Sequence, residues 1–329
     1  MGHEIRTNLK RLLVVSRPEF IPANMGSLII GLAWGYETTQ GFSINLLVMT
    51  ILSFLVITVV SAIGAQVNTL SDLELDTMDP RKKTLTQNLR ELGPQKVKLV
   101  ILFELLLSGI LVSLLVFMRG ELIQLAIYFS ALILTQAYSA LPLRLKGRSL
   151  LAMISLCLVL SVLPAIFIYL TFARELSTLF IFFLIGQTLT VYSVIIPTET
   201  RDYFSDKAMS VKTMTVWLGL SRATLLALAL LAVGATLSIS AFLMTPTFIQ
   251  NPLLMLAPLT MMGADLYIFK AYDKLYNLSK RQEIEEGDIK GVIGEEVVEL
   301  SSKNPKWITI TTQAIIFVNL IYLLGKIFL

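Results

Sequence analysis

Apolar residues in this chain fall in long runs rather than in alternation. Nine runs, at roughly 20–36, 46–67, 97–118, 122–138, 150–172, 177–196, 223–243, 253–272 and 307–328, approach the ~20 residues needed to cross a ~30 Å hydrocarbon core. Each predicts a transmembrane helix, because a helix in lipid satisfies its own backbone polar groups. The stretches 20–36 and 122–138 are short for a span and predict helices standing nearly upright. Ahead of the first run, Arg6, Lys10, Arg11 and Arg17 are interspersed with Leu9, Leu12 and Leu13. That pattern predicts an amphipathic helix at the membrane interface. Pro164 predicts a kink in the fifth span. The pattern gives an all-α integral membrane protein, a bundle of about nine transmembrane helices, with residues 1–329 forming a single domain.

Composition agrees and removes several kinds of chemistry. Hydrophobic residues make up 55% of the 329 and charged residues 15%, too few charges to clothe a water-facing surface. Cys157 is the only cysteine and lies inside the fifth run, so no internal disulfide forms. His3 is the only histidine, which excludes zinc sites, histidine triads and haem held by paired histidines. The net charge of +4 is spread over loops without a nucleic-acid-binding motif, so no nucleic acid is expected as a partner.

The basic residues instead predict sidedness. With the N-terminus inside, 24 of the 27 lysines and arginines fall on inner segments, leaving only Arg119, Arg174 and Lys326 outside. The positive-inside rule then expects a multi-pass protein of the cell membrane, its N-terminus cytoplasmic and its C-terminus outside. A polar insert at 273–306 reads as a cytoplasmic loop with some helix. The apolar residues Val292, Ile293, Val297, Val298 and Leu300 also fit a lid over the inner mouth.

Two inner segments carry ordered acidic patterns. Asn68, Asp72 and Asp76 recur at intervals of four after the second run, as do Asp202 and Asp206 after the sixth. That spacing places each set on one face of a helix. Like charges there destabilise the helix, and ionised aspartates close to lipid cost more, so both faces call for cations. Carboxylates are hard oxygen ligands suited to Mg²⁺, which bridges readily to substrate phosphates. A diphosphate between the two faces is the expected ligand. Arg81 and Lys82 follow the first face and Lys207 and Lys212 the second, while a third loop offers Tyr138, Arg144 and Lys146. These are candidates for phosphate oxygens beyond the metal's reach. Asn24 and Asp265, polar residues within spans, are candidates for a cavity or acceptor role; Gln187 and Glu104 read as interhelical hydrogen bonders.

These residues resemble the UbiA superfamily of intramembrane prenyltransferases. Asn68, Asp72 and Asp76 resemble its first Asp-rich motif, and Asp202 and Asp206 its second. Arg201-Asp202 through Asp206-Lys207 and then Lys212-Thr213 is similar to a family run, although Ser210 stands where glycine is usual. The loop from Tyr138 to Lys146 resembles a third family feature. Asp79-Pro80-Arg81-Lys82 is nearer to the carotenoid-elongating branch than to the quinone and ether-lipid branches. The resemblance covers nearly the whole chain and implies a central cavity opening to the cytoplasmic side. It implies Mg²⁺-dependent transfer of a prenyl group from an allylic isoprenoid diphosphate to a lipophilic acceptor, aromatic, glycerolipid or polyene. Asp202 or Asp206 would take the acceptor's proton. The alternative from the residues alone is a transporter using the acidic pairs as cation sites.

Overall fold

In the computed structural model, which describes residues 2–36, 43–77 and 82–328, every regular element is a helix. The amphipathic α1 (Gly2–Val15) precedes the first apolar helix, α2 (Ile21–Gly35). Next come α3 (Ile44–Ser71), the short α4 (Leu73–Thr77) and the surface helix α5 (Lys83–Leu92). α6 (Pro94–Arg119) and α7 (Ile123–Ser139) follow. The fifth span is α8 (Ser149–Cys157), a π-helical segment (Leu158–Val162) and α9 (Leu163–Phe172). The rest are α10 (Thr178–Ala208), α11 (Met214–Leu218), α12 (Leu220–Leu243), α13 (Pro246–Gln250), α14 (Leu256–Glu285), α15 (Val292–Ser301) and α16 (Asn304–Phe328).

Among the described residues, seven helical spans are long and apolar enough to cross a membrane, and α2 and α7 are shorter apolar helices. Together they account for all nine runs. Local signals set the ends. Ser43 Oγ accepts the Leu46 N–H at 3.2 Å and Ser177 Oγ accepts that of Phe180 at 3.2 Å, satisfying donors that the first turn leaves free. Helix bounds exceed the apolar runs in two places. α10 continues past residue 196 to Ala208 and α14 past 272 to Glu285, because polarity ends a hydrophobic run without ending a helix. Much of the 273–306 stretch is therefore helical, the end of α14 together with α15. Within α15, Ile293 and Val297 are buried but Val292 is exposed. The helix packs against Tyr203, Phe204 and Leu275, bracing the end of α10 from the side.

Packing neighbours form a closed ring, α2, α16, α14, α12, α10, α8, α7, α3 and back to α2, with α9 against α2, α3 and α7. The end far from the acidic motifs is filled by aromatic rings. Trp34 stacks on Phe183 at 4.9 Å between centroids and donates its indole N–H to Asn319 Oδ1 at 3.0 Å. Phe242, Phe248 and Tyr322 complete the plug. At the opposite end, Leu12 and Val15 of α1 pack with Leu70, Leu73 and Leu89, so the amphipathic helix supports the first acidic motif from behind.

The tightest seam joins α10 and α12. A Cβ on Gly234 would lie 2.6 Å from Thr190 Oγ1 and 2.7 Å from the Gly186 carbonyl oxygen, so small residues let the two backbones meet. Gly234→Ala should cost roughly 1–3 kcal/mol of stability through overpacking. Thermal unfolding in detergent measures this, with Gly109→Ala as the control because its Cβ meets nothing within 4 Å. Equal melting temperatures for the two variants would contradict the close approach.

Candidate functional site

Both acidic segments reach the same end of the bundle. α3 stops at Ser71 and Asp72 is a single turn residue before α4, but the ladder continues: Asp72 N–H bonds to Asn68 C=O at 3.0 Å and Asp76 N–H to Asp72 C=O at 2.8 Å. Asn68, Asp72 and Asp76 therefore keep one face despite the break. Asp72 and Asp76 are both buried. Burying ionised carboxylates is costly unless cations accompany them, and this site supplies cations. Asp72 Oδ1 accepts from Lys146 Nζ and, at 3.3 Å, from Arg144 Nη2. Asp76 Oδ1 accepts from Lys82 Nζ at 2.7 Å. Asn68 Oδ1 accepts the Ser139 hydroxyl at 3.1 Å, tying α3 to α7. Burial pulls the Lys146 ammonium below its ordinary pKa, against the opposing pull of Asp72.

The loop that delivers Arg144 and Lys146 is itself fastened to the second motif. Ser149 N–H and Oγ both donate to the Lys212 carbonyl at 2.9 Å, just beyond α10. Tyr138, at the end of α7, lines the cavity mouth with Asn68 and Ser139. Arg201 holds its neighbour Asp202 in a two-pronged pair at 3.0 and 2.9 Å. The backbone is strained here too. Among the described residues, the non-glycine positions with positive φ are Arg17, Arg144, Ser149 and Ser210. Arg17 lines the cavity mouth and the other three lie in or beside the two fastened loops. Such conformations persist where the surroundings over-determine them, and they gather at functional sites.

An apolar cavity opens from this mouth. Arg17, Asn68, Tyr138 and Ser139 line its polar end, and Val56, Ile127, Tyr128 and Phe167 its deep end. The π-helical segment contributes Val159 and Leu160, and Leu160 is 44% exposed. A π-bulge re-aims side chains, here into the cavity.

The expected residues divide into those at this mouth and those elsewhere. Asn68, Asp72, Asp76, Lys82, Tyr138, Arg144, Lys146, Asp202 and Asp206 lie at the motif end. Arg81 lies outside the described residues. Lys212 contributes its carbonyl, while its side chain is exposed. Lys207 turns outward, paired with Asp288 and hydrogen-bonded to Tyr203 Oη at 3.2 Å. Asn24 lines the cavity and accepts from Ser61 Oγ at 3.0 Å. Asp265 is buried on α14 with neither carboxylate oxygen hydrogen-bonded, and it is not among the residues lining that cavity. Glu104 accepts from Gln66 at 3.0 Å. Glu199 was not anticipated. Its carboxylate accepts from Thr215 N–H at 3.1 Å and Oγ1 at 3.3 Å. The signal was present, since 199, 202 and 206 follow one helical face.

Among the described residues, no group of three or more acidic or sulfur- or imidazole-bearing side chains is placed to cage a metal ion. What exists is a buried Asp72–Asp76 pair, hard oxygen donors one helical turn apart. That fits Mg²⁺, which is commonly held by one or two carboxylates with the remaining positions left to water and substrate phosphate.

The chain matches the model of the UbiA prenyltransferase family over residues 25–283. Solved structures share its fold. A digeranylgeranylglyceryl phosphate synthase structure is 16% identical, covering 98% of this chain and 99% of that one, with a TM-score of 0.64. A UbiA homologue from Archaeoglobus fulgidus bound to GPP and Mg²⁺ is 20% identical over 92% and 99%, with a TM-score of 0.62. The apo form of another from Aeropyrum pernix K1 is 13% identical over 88% and 97%, with a TM-score of 0.57. No curated protein matches the sequence.

Proposed function

The chain belongs to the UbiA prenyltransferase family, and from that premise we propose that it moves a prenyl group from an allylic isoprenoid diphosphate to a lipophilic acceptor within the membrane. The observation that carries this reading is the buried Asp72 paired with Arg144 and Lys146, one helical turn from Asn68 at the polar end of an apolar cavity. The whole chain acts as one catalytic domain. Asn68, Asp72 and Asp76 from one side and Asp202 and Asp206 from the other would hold Mg²⁺ together with the donor's diphosphate. When bound, the metal supplies positive charge that stabilises the departing diphosphate.

The chain's own residues do the rest. Lys146 and Arg144 neutralise Asp72 while the site is free, and they turn to phosphate oxygens when the donor arrives. Lys82 does the same from Asp76. The carbon–oxygen bond to diphosphate breaks with its electron pair leaving on oxygen. The allylic cation sits among apolar side chains such as Val60 and Ala131, which exclude the water that would otherwise capture it. An acceptor carbon or hydroxyl supplies the new bonding pair, and its proton passes to Asp202 or Asp206, with Glu199 on the same face as a further carboxylate. Release of labelled diphosphate from a prenyl diphosphate by membranes containing the protein tests the reading. Release that requires neither the protein nor Asp72 would overturn it.

The same reading places the motif end in the cytoplasm, because nearly all lysines and arginines lie there. In a Cys157→Ser background, a cysteine at Pro246 should react with an impermeant thiol reagent in intact cells, and one at Thr84 only after permeabilisation. The reverse pattern would invert the orientation.

A further inference from the structure

A second concavity lies on the outer, lipid-facing side of the bundle, between α6 and α7. Leu105, Gly109, Val112 and Ser113 of α6 line it, with Leu125 and Phe129 of α7. Its rim is lipid-facing: Leu106, Ile110 and Phe129 are each more than half exposed. Among the described residues, Tyr128 alone lines both this groove and the deep end of the inner cavity. It is 4% exposed, and its phenol reaches across the seam to Ser108 Oγ on α6 at 2.9 Å. A phenol inside a membrane bundle needs such a partner. The ring itself stands as a partition between the two spaces.

Tyr128 lies ten residues from Tyr138 on the same helix, which sets the partition about 15 Å beyond the mouth. A donor anchored by its diphosphate at Asp72, Arg144 and Lys146 extends its tail along that axis. We propose that Tyr128 is a specificity-determining residue, the stop that limits the length of isoprenoid tail the inner cavity accepts. This rests on the prenyltransferase reading above and adds to it the residue that sets donor length. Without the ring, the cavity joins the α6–α7 groove, and a longer tail passes through the seam into lipid.

The test needs no acceptor. With full-length protein in detergent and Mg²⁺ present, geranyl, farnesyl, geranylgeranyl and longer diphosphates compete against labelled geranyl diphosphate. Wild-type affinity should rise with tail length and then stop rising or fall once the tail meets the ring. Tyr128→Ala should move that break at least one isoprene unit further, with a gain of about 10-fold for the first donor beyond it relative to geranyl diphosphate. Tyr128→Phe, which keeps the ring, should leave the profile in place. Gly109→Trp fills the groove from open space, so the Tyr128→Ala/Gly109→Trp pair should restore the wild-type break. Should the alanine variant not fold, Tyr128→Leu carries the same expectation with less loss of packing. An unchanged break in a variant that still binds geranyl diphosphate would refute the stop while leaving the prenyltransferase reading intact. A shift that Gly109→Trp does not reverse would refute the path through the groove. Failure of every donor to bind wild-type protein would defeat the parent reading and this one together.

Discussion

Asp72→Asn is expected to lower prenyl transfer at least ~100-fold while leaving the fold in place. The substitution keeps the shape of the side chain and its capacity to accept a hydrogen bond from Lys146, but removes the anion. Three effects then act together. A hard ligand is lost from a site where, among the described residues, no group of three or more such side chains could hold the ion instead. Lys146 and Arg144 lose the counter-charge that holds their loop against α3. The diphosphate meets a mouth with one fewer link to Mg²⁺. Asp202→Asn should act similarly from the second face, where it removes the anion that Arg201 holds in a two-pronged pair. Chelator should abolish wild-type activity and added Mg²⁺ restore it. Thermal unfolding separates loss of function from loss of structure: a mutant with native melting and native turnover would show that Asp72 is only a counter-ion for the loop. Lipid profiles of cells expressing wild type and Asp72→Asn would then reveal the prenylated product as the species missing in the mutant, and through it the acceptor.

Local periodicity made the first acidic face legible, because the interval of four fixes a shared helical side wherever the helix goes. It holds even through the break at Asp72, where the ladder of hydrogen bonds continues. The nine spans were legible for a similar reason, since each apolar run carries its own reason to be helical. Their ends were not. Residues 197–208 are polar and include Pro197 at their start, so hydropathy alone ends the sixth span there, yet α12 and α15 hold the helix to Ala208 by packing on its sides.

Side-chain partners were less legible still, because they depend on distant segments. Lys207 follows the second motif in sequence just as Lys82 follows the first. Lys82 turns to Asp76, six residues away, whereas Lys207 turns to Asp288, beyond the end of α14. No spacing rule distinguishes them. Glu286 explains why Asp288 is there: its carboxylate accepts the N–H groups of Gly291, Ile293 and Gly294 and so fixes the turn into α15. Backbone N–H bonds of that kind hold the Glu286 carboxyl below its ordinary range, outweighing the opposing effect of desolvation. Tyr128 was invisible for the same reason. Nothing in an apolar helix marks the one ring that separates an inner space from an outer one.

Lys146→Gln is expected to separate two roles proposed for one side chain. Lys146 pairs with Asp72; the proposal adds that it reaches the diphosphate when donor binds. If neutralising Asp72 were its whole role, the glutamine variant would bind Mg²⁺ more tightly, because Asp72 would no longer be shared with a resident cation. Donor kinetics would then stay near wild type, since Arg144 still faces the carboxylate at 3.3 Å. If Lys146 also bonds the diphosphate, its loss removes a charge-assisted hydrogen bond worth about 1.5–3 kcal/mol. At about 1.4 kcal/mol per decade, kcat/KM for the prenyl donor then falls about 10–150-fold. The second outcome is expected, because the ammonium is mostly buried at the mouth and turns to phosphate with little loss of ordering. Acceptor KM should change little, as the acceptor meets the far side of the reacting carbon. Tyr138→Phe is the companion measurement: it removes a neutral phenol from the same mouth and should cost less. Both variants are measured at saturating Mg²⁺ and acceptor, with only the donor varied, and then again across a Mg²⁺ titration. A tightened Mg²⁺ requirement with unchanged donor kcat/KM would leave Lys146 as a counter-ion to Asp72 and pass the phosphate role to Arg144 and Lys82.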